Sequence, residues 1–169
     1  MSVGRGGVFS LLIIMLFSSA LIAHERACIS TGPQVEEAKL QVKKPYADFV
    51  LVLRAAVPPL RKTGTGRIIA IGSRAALEPG AGVGAYSASK AAMVSLLRTV
   101  ALENKDAGLT ANVILPGTMD TPANRKAIPN GDVSKWVQPA TVAGLVVWLA
   151  GETGQDVNGS VIPVYGKDA

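Results

Sequence analysis

The stretch Gly66–Lys90, GRIIAIGSRAALEPGAGVGAYSASK, decides the fold. It opens with an apolar run, Ile68 to Ile71, of strand length, which stops at Gly72-Ser73. A Gly- and Pro-rich loop follows, and then Tyr86 and Lys90 stand at i and i+4. The run from Ala85 to Lys105 (AYSASKAAMVSLLRTVALENK) is rich in Ala, Leu and Ser, lacks proline and reads as one long helix. On a helix, i and i+4 lie one above the other on the same face, so the phenol and the ammonium meet. A phenol is a poor acid-base catalyst at its ordinary pKa of about 10, and a neighbouring cation favours the phenolate. Ser73, at the carboxyl end of the strand, is placed to hold a substrate oxygen while Tyr86 gives or takes the proton.

Tyr-x-x-x-Lys alone is a weak signal, because a solvated Tyr and Lys on any surface helix give the same spacing. Here Ser73 lies upstream, G-R-I-I-A-I-G-S precedes it and A-S-K-A-A follows the tyrosine. Together these residues resemble the Ser-Tyr-x-x-x-Lys active site of the short-chain dehydrogenase/reductase family. The resemblance implies an α/β, Rossmann-like, doubly wound parallel sheet and oxidoreductase chemistry with NAD or NADP. It also implies catalytic roles for Ser73, Tyr86 and Lys90. Tyr86 would be the acid-base group, Lys90 would tune it and bind the nicotinamide ribose, and Ser73 would orient the substrate oxygen.

Downstream, Asn104 to Gly108 is a polar break, and Thr110 to Leu115 reads as a second buried strand running into Pro116-Gly117-Thr118-Met119-Asp120-Thr121. That segment resembles the family's P-G-x-x-x-T, which approaches the nicotinamide and pyrophosphate, and it implies cofactor contacts at Pro116, Gly117, Thr118 and Thr121 beside those of Tyr86 and Lys90. Ligands of doubly wound sheets lie outside the carboxyl ends of the strands, and glycine lets the backbone come close. An ordinary Pro-Gly turn is the plainer alternative. Pro139 opens a helix (PATVAGLVVWLAG) whose apolar residues fall on nearly every face, so burial on all sides is expected. Asn158-Gly159 turns into a last strand, Val161 to Val164; the Asn158-Gly159-Ser160 sequon is incidental to that turn.

Upstream, apolar residues recur at helical spacing from Tyr46 to Arg61, with Pro58 and Pro59 expected to end or kink the helix. In many family members an asparagine near the start of this helix holds a water that relays protons to the lysine. Lys43-Lys44-Pro45-Tyr46 offers no asparagine there. The helices 46–61 and 85–105 match those through which family members pair, so a homo-oligomer is expected.

Residues 24–44 are polar and mixed and read as a linker to the domain at 45–169. Before them, Arg5 and the apolar run Val8 to Ala23 admit three readings: a signal peptide or membrane anchor over 1–23, a buried element of the domain, or a misplaced start site. The resemblance implies a cytoplasmic protein, exported or membrane-anchored if 1–23 acts as a signal. The family's T-G-x-x-x-G-x-G phosphate loop is not found in these 169 residues. The likeness covers Tyr46 to Gly166, the carboxyl half of the fold. The strand before Ser73 is therefore expected to carry a bare edge, and cofactor affinity is expected to suffer from the lost pyrophosphate contacts.

A length of 169 residues suits one domain. Hydrophobic residues make up 49% and glycines number 18, which suits buried parallel strands. The net charge of +5 comes from scattered Lys and Arg with no basic stripe, which argues against nucleic-acid binding. One cysteine, Cys28, and one histidine, His24, exclude an internal disulfide and a Cys/His metal cluster.

The loop from Asp120 to Pro129, with Ser134-Lys135-Trp136, is similar to the matching stretch of dihydropteridine reductase, a family member that reduces a quinonoid dihydropterin with NADH. That enzyme generally lacks the serine present here as Ser73, and this favours a carbonyl substrate such as a 3-oxoacyl thioester or small ketone. The substrates expected are therefore a small carbonyl or a quinonoid dihydropterin. A non-catalytic subunit acting through dimerisation is the alternative.

Overall fold

A computed structural model describes residues 11–15 and 32–167, with side chains from Tyr46 onward. Four strands form one parallel sheet in the order β1-β2-β3-β4: β1 Leu11–Met15, β2 Arg67–Ile71, β3 Thr110–Pro116 and β4 Val161–Val164. Helix α1 (Gly32–Thr63) joins β1 to β2, and α2 (Gly84–Asn104) joins β2 to β3. The short α3 (Pro122–Ala127) and α4 (Pro139–Ala150) lie between β3 and β4. Parallel strands need such crossovers, and the result is the Rossmann-like α/β architecture that the central motif implies.

Every residue of β2 and β3 is buried, the polar Arg67, Thr110 and Asn112 among them, and burial on both faces is why residues 68–71 and 113–116 show no polar alternation. Alternation splits them between two cores. Ile68 and Ala70 of β2, with Ala111, Val113 and Leu115 of β3, meet Phe49, Leu53 and Leu60 of α1 and Met93, Val94, Leu97 and Ala101 of α2. Ile69, Ile71 and Ile114 face the other way, onto Val142, Val146 and Leu149 of α4.

The structure bears on five expectations. The edge of β2 is not bare, because β1 pairs with it in parallel from Leu11↔Arg67 to Met15↔Ile71. Within the apolar run, Leu11–Met15 form a strand of the sheet; the rest of 1–31, on which the signal-peptide, anchor and start-site readings also fall, lies outside the described residues. Helix α1 starts at Gly32, so residues 32–44 are helical, and it runs through Pro58 and Pro59 to Thr63, so the prolines do not end it. Burial of Leu60 beyond the prolines holds that last turn on the core, offsetting the roughly 3 kcal/mol that an interior proline costs. Helix α4 is buried along one stripe only, with Val147 72% and Trp148 45% exposed. It meets the sheet on a single face.

Asn158 braces this end of the fold. Its Oδ1 accepts from Ala111 N at 2.9 Å and its Nδ2 donates to Ala101 O at 3.2 Å. The sequon's asparagine is thus committed to packing.

Candidate active site

The site residues come from the carboxyl ends of β2 and β3 and from the first two turns of α2. Strand β2 ends where Gly72 N donates to Ile114 O at 2.8 Å. The chain then bends into a 3-10 turn, Arg74–Ala76, capped by Ser73, whose Oγ accepts from Ala75 N at 3.3 Å. With that lone pair used by the cap, the Ser73 O–H is left to donate outward. The turn packs against α2.

Tyr86 and Lys90 lie together near the start of α2, as their spacing implies. Lys90 Nζ sits 5.4 Å from the centre of the Tyr86 ring, within the range at which a ring face attracts a cation. Tyr86 is half-buried and Lys90 is 1% exposed. Burial pushes the Lys90 pKa down from the usual lysine value, because a buried ammonium loses hydration. Neighbouring Ser89 has its hydroxyl satisfied by Tyr86 O at 2.7 Å.

At the end of β3, Pro116 is buried, and Gly117, Thr118 and Thr121 are half-buried. Gly117 N donates to Val164 O at 2.9 Å. A Cβ on Gly117 would lie 3.0 Å from Tyr165 O, so glycine lets the chain leaving β4 pass close by without crowding. Thr118 O accepts from Val137 N at 2.8 Å. Thr121 caps α3 by accepting from Asn124 N at 3.2 Å, which leaves its O–H as a donor. Asp120 and Arg125 form a two-pronged ion pair at 2.6 and 2.9 Å, joined by Gln138 at 3.3 Å. The Arg125 guanidinium, first of all by hydrogen bonding, holds the Asp120 carboxyl below its usual range.

Two features escaped the sequence. Arg74 Nε donates to Glu78 Oε2 at 2.6 Å, and the Arg74 guanidinium lies 4.6 Å from the Tyr165 ring centre. The Arg74–Glu78 i,i+4 spacing was visible; the partnership with Tyr165, 91 positions further on, was not. Among the described residues no group of His, Cys, Asp and Glu could hold a metal ion, and no helix is long and apolar enough to cross a membrane.

The chain is similar to known proteins over much of its length. The family model "short chain dehydrogenase" matches residues 46–131, just over half of the chain. D-beta-hydroxybutyrate dehydrogenase of Rhizobium meliloti is 32% identical over 134 residues, covering 68% of this chain and 52% of the relative. The 3-oxoacyl-[acyl-carrier-protein] reductase MabA of Mycobacterium bovis is 37% identical over 126 residues, covering 68% and 50%. The chain thus spans about half the length of these curated relatives. In fold it superposes on sorbitol-6-phosphate 2-dehydrogenase of Erwinia amylovora with a TM-score of 0.80 at 18% identity, over 95% of this chain and 68% of that one. The chain belongs to the short-chain dehydrogenase family.

Proposed function

We propose that this chain carries the proton-transfer and nicotinamide-facing part of an NAD(P)-dependent oxidoreductase that interconverts a small carbonyl and its alcohol. The reading is supported by a buried lysine 5.4 Å from the ring centre of a half-buried tyrosine, on the helix against which the turn capped by Ser73 packs. NAD(P), when bound, supplies or accepts the hydride. Tyr86 gives or takes the proton of the substrate oxygen, Lys90 favours the phenolate by its charge, and Ser73 donates to the same oxygen. The donors present fit the nicotinamide end of that cofactor: the Lys90 ammonium would hold the ribose. The Pro116–Thr118 backbone and the Thr121 O–H would border the nicotinamide and pyrophosphate.

The relatives' names point to hydroxy-acid and 3-oxoacyl substrates, and the loop Asp120–Pro129 keeps a quinonoid dihydropterin in view. The test is nicotinamide oxidation and reduction by the purified chain against 3-hydroxyacids, 3-oxoacyl thioesters, small ketones and quinonoid dihydropterin. Turnover with one class is expected, and no turnover with any of them would contradict the reading.

A second reading, a subunit that acts by pairing, is favoured by exposed apolar side chains on both outer helices. Leu51 is 61% exposed on α1 and Leu102 71% exposed on α2. Pairing through these helices is compatible with catalysis and is proposed for the active form as well.

A further inference from the structure

Tyr165, just past β4, touches two walls of the candidate site. The Arg74 guanidinium lies over its ring at 4.6 Å, and its backbone lies against Gly117, where even a methyl group would be crowded. Arg74 is the residue after Ser73 and the first of the 3-10 turn. That turn aims the serine: Ala75 N donates to Ser73 Oγ, Ala76 N to Ser73 O at 3.0 Å, and both Leu77 N and Glu78 N to Arg74 O at 3.0 Å. All these bonds are local. The last sheet bond before the turn is Gly72 N to Ile114 O, and past it the Arg74–Tyr165 stack ties the turn to the exit of β4. That exit is itself held, since Lys167 N donates to Lys135 O at 3.0 Å.

We propose that Tyr165 is a positioning residue. By seating Arg74 on its ring and Gly117 against its backbone, it fixes the Ser73 hydroxyl relative to the backbone at the end of β3. The inference rests on the reading of Ser73 as the group that orients the substrate oxygen. A guanidinium over an aromatic face is attracted by the ring's quadrupole, and more strongly when partly dehydrated, as this one is at 34% exposure. Glu78 completes the clamp by binding Arg74 Nε from the turn's own end. Burial, and then the Glu78 carboxylate, raise the Tyr165 pKa above the usual phenol value against the opposing pull of Arg74, so the ring stays neutral through the physiological range.

The test uses the full chain and three variants, Tyr165→Leu, Tyr165→Phe and Arg74→Met. Hydrogen exchange is read at the amides of Ala75 to Glu78. Exchange there is expected to speed up about tenfold in Tyr165→Leu and Arg74→Met, with Ile69 and Val113 unchanged. Tyr165→Phe, which keeps the ring face but loses the hydroxyl's hydrogen bond to Glu78, is expected to stay nearer wild type than Tyr165→Leu. In nicotinamide-linked turnover Tyr165→Leu is expected to lose about tenfold in kcat with little change in cofactor KM, and Tyr165→Phe to keep most of it. Unchanged exchange in Tyr165→Leu overturns the inference, as does a loosened turn with full kcat. Should Tyr165→Leu not fold, Arg74→Met removes the same contact from the other side. Turnover insensitive to Tyr86→Phe would sink the oxidoreductase reading alone, because the exchange measurement judges Tyr165 without it.

Discussion

Lys90 is held where a lysine is costly to keep charged, 1% exposed and with its pKa lowered by burial. Below that lowered pKa the ammonium is charged in both folded and unfolded states, and folding bears the full cost of dehydrating it. Between the lowered pKa and the usual 10.5, only the unfolded chain holds the proton, so stability rises with pH across that window. Lys90→Met removes the ammonium and its dehydration cost. At pH 7 the variant is expected to resist denaturant at least as well as wild type, and the gap is expected to close as pH rises toward 10.5. Urea titrations of both proteins at pH 7 and pH 10 check this. Ser73→Ala, by contrast, removes the hydroxyl proposed to hold the substrate oxygen, and its expected effect is a loss of about 10²-fold in kcat. Steady-state kinetics on the substrate that turns over would show it.

At the scale of elements, α2 was the most legible part of the chain. Its composition, its lack of proline and the Tyr86–Lys90 spacing all specified a helix with both side chains on one face, and the structure agrees. Strands β2 and β3 were nearly as plain, because burial on both faces leaves the apolar stretches 68–71 and 113–116 without polar alternation, even though Arg67, Thr110 and Asn112 are buried with them. What failed was the inference from apolar content to burial in α4. Its Val147 and Trp148 look like core residues in sequence, yet only Val142, Val146 and Leu149 reach the sheet. The prolines of α1 misled for a related reason: local breakers were read without the tertiary contacts of Leu60 that override them. The contrast in α4 gives a direct stability test. Leu149→Ala, fully buried, is expected to cost about 2–5 kcal/mol. Val147→Ser is expected to stay within about 0.5 kcal/mol of wild type. Chemical denaturation of the two variants separates a one-sided helix from a buried one.

Across the whole molecule, the site depends on segments brought together from positions 73 to 165, so its long-range part could not be read from local pattern. The Tyr86–Lys90 pairing was legible because both lie on one helix, whereas the Arg74–Tyr165 stack spans two crossovers. Pairing of copies belongs to this scale too. Leu51 and Leu102 stand outward on the two helices that cover one face of the sheet. Leu102→Arg is expected to shift the purified chain from dimer to monomer in sedimentation velocity without changing its circular dichroism. A wild-type chain already monomeric at micromolar concentration would contradict pairing through this face. The central claim is that Tyr86, supported by Lys90, moves the proton in a nicotinamide-linked redox reaction. Turnover of Tyr86→Phe against wild type tests it most directly. A fall of about 10²- to 10⁴-fold in kcat/KM with the fold intact is the expected result, and a variant that turns over at the wild-type rate would contradict it.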